Sequence, residues 1–151
     1  MPEKRTLERA RRDARQGKAP STQAGEFVRE EVHHIREGKH GARSTKQAIA
    51  IGLSKARRVG VKLRPPAKGR VSEKTRRSAQ SAYRKGQRGE RVSPRRSRAR
   101  VKALRREGHS AASRAALSRQ ARTAARLRGS RARSGAARRA HLTRSQRLRR
   151  R

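Results

Sequence analysis

The sequence predicts a mostly α-helical protein: a small helical hairpin, marginal basic helices beside it, and a largely disordered Arg/Ala/Ser-rich C-terminal extension. Three observations lead there. Apolar residues recur at helical spacing chiefly between Ser21 and Pro66. Lys plus Arg number 47 against 10 Asp plus Glu, a net charge of +37. Leu, Ile, Val and Phe make up only 19 of 151 residues, about 13%, below the ~20% under which a highly charged chain is expected to lack a large core.

The hairpin comes first because it carries the folding signal. Ala24, Val28, Val32 and Ile35 fall at i, i+4, i+8 and i+11 with Phe27 beside them, and Gly38 follows as a cap, which predicts a helix from about Thr22 to Glu37. Ser44-Thr45-Lys46-Gln47 is a capping-box pattern, after which Ala48, Ile49, Gly52, Leu53 and Ala56 share one face until Gly60 and Pro65-Pro66 end the run. The small residues on that face let two helices approach closely, and the short connection from Gly38 to Arg43 predicts an αα-hairpin. Ile51 lies off the apolar face, so a two-helix unit leaves it exposed unless another helix, a second copy or a partner protein covers it. Glu26, Glu30, His33 and Glu37 lie opposite the apolar stripe. That row is read as solvated rather than as a metal site, because one helix face pointing at water offers no convergent geometry. Its carboxylates are also candidates for holding part of the basic tail until phosphates compete.

The run EGKHGARSTKQAIAIGLSKARRVG resembles a family of short, very basic bacterial proteins known as a domain of unknown function, through Lys46 to Ile51, Leu53 to Arg57 and Gly60. Some of its members are described as DNA-binding, so the resemblance implies a nucleic-acid partner.

Around the hairpin the chain divides into residues 1–20, a basic N-terminal helix; 21–66, the hairpin; and 67–151, a basic, partly helical or disordered tail. The N-terminal segment has Leu7 as its one large apolar side chain after Met1 and reads as a solvated charged rod. Residues 64–151 hold 31 Lys plus Arg and three acids, so they carry +28 of the +37. Ser72 to Lys85 predicts a short capped helix, Arg98 to Arg106 another, and Ser110 to Arg128 a longer Ser-capped one with Arg119, Arg122 and Arg126 on one face and Leu117, Ala121 and Ala124 on the other. Ser93-Pro94-Arg95-Arg96 resembles the Ser-Pro-basic-basic units of histone tails, in which a turn presents cations to the minor groove, and the tail as a whole resembles such tails in composition.

Such a field calls for a polyanion. Arg outnumbers Lys 37 to 10, which favours bidentate phosphate contact and minor-groove insertion. Only Phe27 and Tyr83 are aromatic, whereas single-strand readers stack bases on several rings. Non-specific, architectural binding of double-stranded DNA, nucleoid-associated and histone-like, is the expected function. The alternatives are an RNA- or ribosome-associated protein and a protein-interaction module with a tethering tail. The expected contacts are Arg57, Arg58, Arg76, Arg77, Arg95, Arg96, Arg98, Arg100, Arg119, Arg122, Arg126, Arg138, Arg139, Arg149, Arg150 and Arg151. No enzyme, cofactor or metal is expected: cysteine is absent, no phosphate-binding glycine loop occurs, and His33, His34, His40, His109 and His141 read as solvated. With no apolar run of about 18 residues and no signal-peptide pattern at Met1, a cytoplasmic, nucleoid location without membrane partners is expected.

Overall fold

The structure is a computed structural model that describes residues 1–130 together with 134, 135, 137, 138, 141 and 142. The described residues are helical and include no strand: α1 (Lys4–Arg15), α2 (Pro20–Arg36), α3 (Thr45–Arg58), α4 (Glu73–Gln87), α5 (Pro94–Leu104), a 3-10 turn (Ser110–Ala112) and α6 (Arg114–Leu127). They fall into two compact units, Met1–Ser113 and Arg114–Arg151.

Local chemistry sets the helix ends. Pro20 stands in the first turn of α2, where its missing N–H costs nothing. Gly38, at φ +71°, closes α2 in a left-handed conformation in which Lys39 N donates to the His34 carbonyl at 2.9 Å. At the start of α3, Gln47 N donates to Ser44 Oγ at 3.2 Å, and Gln47 Oε1 reaches back to accept from Arg43 N at 2.8 Å. The reciprocal bond of the expected capping box therefore lands one residue earlier than Ser44 N. α4 starts likewise, with Thr75 N donating to Ser72 Oγ at 3.3 Å.

α2 and α3 pack as the predicted hairpin. They meet closely at Gly52, where a Cβ would lie 2.6 Å from the Val28 Cα. The buried line of α2 is Ala24, Phe27, Glu31 and Ile35, with Val28 and Val32 half-buried. It is rotated from the expected stripe and contains a carboxylate. Two small cores result. Phe27 and Ala24 meet Ala10, Ala56 and Val61, with Leu7, Leu53 and Leu63 packed against them. Ile35 meets Ala42, Ala48, Ala111 and Ala112, with Val32 alongside.

Four features differ from the sequence reading. α1 is not a solvated rod but packs on α2, burying Thr6, Ala10 and Asp13. α4 packs on α3 so closely that a Cβ on Gly86 would strike the Arg57 carbonyl. Ile51 is half-buried rather than exposed, as are Ser54 and Arg58 on the same row. The fourth is a clasp by residues 104–112, far into the expected tail. Gly41 N donates to the Leu104 carbonyl and Ala42 N to the Gly108 carbonyl, both at 2.9 Å. Thr45 Oγ1 donates to the Ala111 carbonyl at 2.7 Å and Arg36 Nε to the Ala112 carbonyl at 2.9 Å. The expected boundary at Pro65-Pro66 is thus crossed by α4 and by the clasp. In the second unit, α6 begins at Arg114 rather than Ser110, because Ser113 is extended (φ −64°, ψ 152°).

Candidate nucleic-acid interface

Eight Lys and Arg and no acid lie between Arg91 and Arg106, and α5 forms the centre of that run. Pro94 occupies the first turn of α5, so Ser93-Pro94-Arg95-Arg96 starts a helix here rather than forming the turn expected of a histone-tail unit. Helical spacing sorts the rows: Ser97, Val101 and Leu104 make one, Arg95, Arg98 and Lys102 a second, Arg96 and Arg100 a third. Leu104 is buried, and the clasp anchors this C-terminal end of the helix; all the cations of the other rows are exposed. The result is a helix about 16 Å long with guanidinium groups over most of its surface.

Where the acids go decides how strongly that surface is felt. Eight of the ten, Glu3, Asp13, Glu26, Glu30, Glu31, Glu37, Glu73 and Glu90, form ion pairs, and every partner lies between Arg9 and Arg88. Among the described residues, none of these ion pairs involves a cation of α5 or α6. The idea that the acidic row of α2 holds the basic tail therefore meets other partners: Arg9 stands 3.7 Å from Glu26, Lys55 3.4 Å from Glu30 and Lys39 2.9 Å from Glu37. Nor is that row solvated throughout, since Glu30 is buried and accepts from Glu3 N at 3.2 Å.

The other expected contacts fare differently. Arg57 is buried, donating from Nε to the Leu63 carbonyl at 3.1 Å and from Nη2 to the Arg64 carbonyl at 3.5 Å; its guanidinium pKa is lowered by desolvation. It holds the chain that leaves α3 and does not face a ligand. Arg58 is half-buried. Arg76 donates to Glu73 from both Nε and Nη2, at 3.0 and 2.8 Å, which lowers the Glu73 pKa and raises its own, while Arg77 lies 3.7 Å from the same carboxylate. These two are partly neutralised. Arg95, Arg96, Arg98 and Arg100 share α5. Arg119, Arg122 and Arg126 are exposed on α6, whose half-buried side is Ala116, Leu117, Gln120, Ala124 and Ala125, with Ala121 exposed. Arg138 is exposed; Arg139, Arg149, Arg150 and Arg151 lie outside the described residues. Lys102, Arg105 and Arg106 belong with the α5 group and are exposed. The acid-free run itself was the signal for them.

Of the aromatic side chains, Phe27 is fully buried and Tyr83 half-buried, so one ring at most is open to a stacked base. The histidines divide: His33 and His109 are exposed, His34 is half-buried and His40 buried, which corrects the reading of all as solvated. One ligand atom each of Glu31, His34 and His40 lies within 4.8 Å of the others. Among the described residues no helix is long and apolar enough to cross a membrane.

Residues 3–69 match DUF6496, a family of unknown function. The matched segment spans α1, the hairpin and the chain to Gly69, and it contains the Lys46–Gly60 run; α4, α5, the clasp and α6 lie beyond it. No curated protein and no solved structure matches the chain.

Proposed function

We propose that the protein binds double-stranded DNA without sequence preference, as an architectural, nucleoid-type protein of the bacterial cytoplasm, by neutralising phosphates. One observation carries this reading: eight exposed cations from Arg91 to Arg106 with no acid among them, in a chain where eight of the ten acids pair with cations outside that run. Guanidinium groups at that density grip a phosphate backbone and release its counterions. The burial of Phe27 favours a duplex over a single strand, because stacking is what single-strand binders add to charge.

The test compares the full chain with the quadruple variant Arg95→Gln, Arg96→Gln, Arg98→Gln, Arg100→Gln on duplex DNA across a salt series. With a log–log slope of about −0.9 per neutralised phosphate, the variant's slope is expected to be shallower by about 3 to 4 at unchanged helicity. Equal slopes would remove α5 from the interface. Tighter binding of duplex RNA or of single strands than of matched duplex DNA would make this an RNA- or single-strand-binding protein instead.

A further inference from the structure

Glu31 sits on the α2 face that packs against α3, and its side chain is 1% exposed. A carboxylate in that position is stable only with partners. His40 Nε2 lies 2.7 Å from Oε1 and Lys55 Nζ 2.7 Å from Oε2, yet neither contact has hydrogen-bond alignment, and both oxygens lack a hydrogen-bond partner. His34, i+3 from Glu31 on α2, brings its ring edge-on to that of His40 at 6.1 Å between centroids. One ligand atom of each of the three residues lies within 4.8 Å of the other two.

The surroundings suit a cation. His40 Nδ1 is 3.0 Å from the Gly41 carbonyl, which only accepts, so Nδ1 carries a proton and Nε2 is the nitrogen turned to Glu31. Glu3 Oε1 stands 2.8 Å from His34 Nε2. A backbone carbonyl behind one histidine and a carboxylate behind another are the outer partners that fix imidazole ligands around a metal. The linked groups are four carboxylates, Glu3, Glu30, Glu31 and Glu37, against two ammonium groups, Lys39 and Lys55, which leaves a local charge of −2 with the imidazoles neutral. Arg5, Arg9 and Arg29 line the groove beside Glu3, Glu30, His34 and Glu37, outside this linked set.

We propose that Glu31, His34 and His40 bind one divalent transition-metal ion of the zinc class, in a structural role. Imidazole nitrogen and carboxylate oxygen at about 2.0 to 2.2 Å are ordinary zinc ligands, and water completes the set. Around such an ion the His34 nitrogen would close in, while His40 Nε2 and Glu31 Oε1, 2.7 Å apart, would part slightly to make room for it. Lys55 stays on the second oxygen of Glu31. The ion ties α2 to the connection that the clasp holds, and a fold whose cores rest mainly on alanine gains most from such a staple.

The experiment uses the full chain in metal-free buffer, titrated first with Co²⁺ as a visible-absorption probe and then with Zn²⁺. One tight equivalent is expected, with the intense absorption of four- or five-coordinate cobalt that Zn²⁺ then bleaches. His34→Ala, at a half-buried position on the side of α2, checked by circular dichroism for an intact helix, is expected to weaken Zn²⁺ binding at least about tenfold. It should also abolish the rise in melting temperature that one equivalent of Zn²⁺ gives the parent chain, and Glu31→Gln and His40→Gln should behave alike. His33→Ala, next door but exposed, should change neither readout. Weak binding at several equivalents, an aquo-like cobalt spectrum, or equal effects of His33→Ala and His34→Ala would overturn the site.

Discussion

Arg57 and Arg98 carry the same guanidinium group in opposite surroundings: one is wrapped by the Leu63 and Arg64 carbonyls, the other is exposed on α5. Arg57→Gln removes the charged donor from the Leu63 and Arg64 carbonyls and is expected to destabilise the Met1–Ser113 unit by about 1 to 3 kcal/mol, with duplex affinity nearly unchanged. Arg98→Gln should do the reverse. Denaturant unfolding and DNA titration of both variants check the pair, and a large affinity loss with Arg57→Gln would place that side chain in the interface. Sequence patterning did not separate the two, because Arg57 is held by backbone carbonyls at Leu63 and Arg64 and α4 meets its backbone through Gly86, and neither carbonyls nor a glycine give an apolar signal. Glu31 escaped for a related reason. A helical wheel ranks residues by their own polarity, and the groups that face this carboxylate in the core, His40 and Lys55, belong to other segments of the chain.

Among the elements, those written in side chains were legible. The caps at Ser44 and Ser72 announced α3 and α4, and the small face of α3 announced its contact with α2 at Gly52. Gly52→Leu should accordingly be severe: the new side chain meets the Val28 backbone, which cannot turn aside as a rotamer would. A loss of about 3 kcal/mol or more is expected from such overpacking, and a thermal midpoint equal to that of the parent would refute the packing. The clasp was not legible, since it is made of backbone groups and alanines that carry no pattern. It has its own test at Gly41, where a Cβ would run into the Glu107 carbonyl. Gly41→Val is expected to release residues 104–112, so that trypsin cuts between Arg91 and Ser113 much faster while α2 and α3 stay protected. If cleavage there is unchanged, residues 104–112 do not secure α5.

For the molecule as a whole, the clasp alters which truncation is informative. Deleting residues 64–151 removes +28 of charge, but it also removes α4 and the clasp, so a weaker complex would mix lost phosphate contacts with lost folding. Ending the chain at Ser113 keeps the first unit whole and removes 14 cations and no acid. If those cations contact phosphates, the salt slope should become shallower by at most about 13, at −0.9 per contact, and the four-glutamine change in α5 should lower it further by about 3 to 4 in either background. Additivity is expected because phosphate neutralisation counts charges and ignores base order. Two results would break this account. A 1–113 fragment with the full chain's slope would confine binding to the first unit. A preference of ~10³ or more for one duplex sequence, of the size true operator binders show, would mean that α5 or the hairpin reads base edges, and charge counting would then predict neither affinity nor slope.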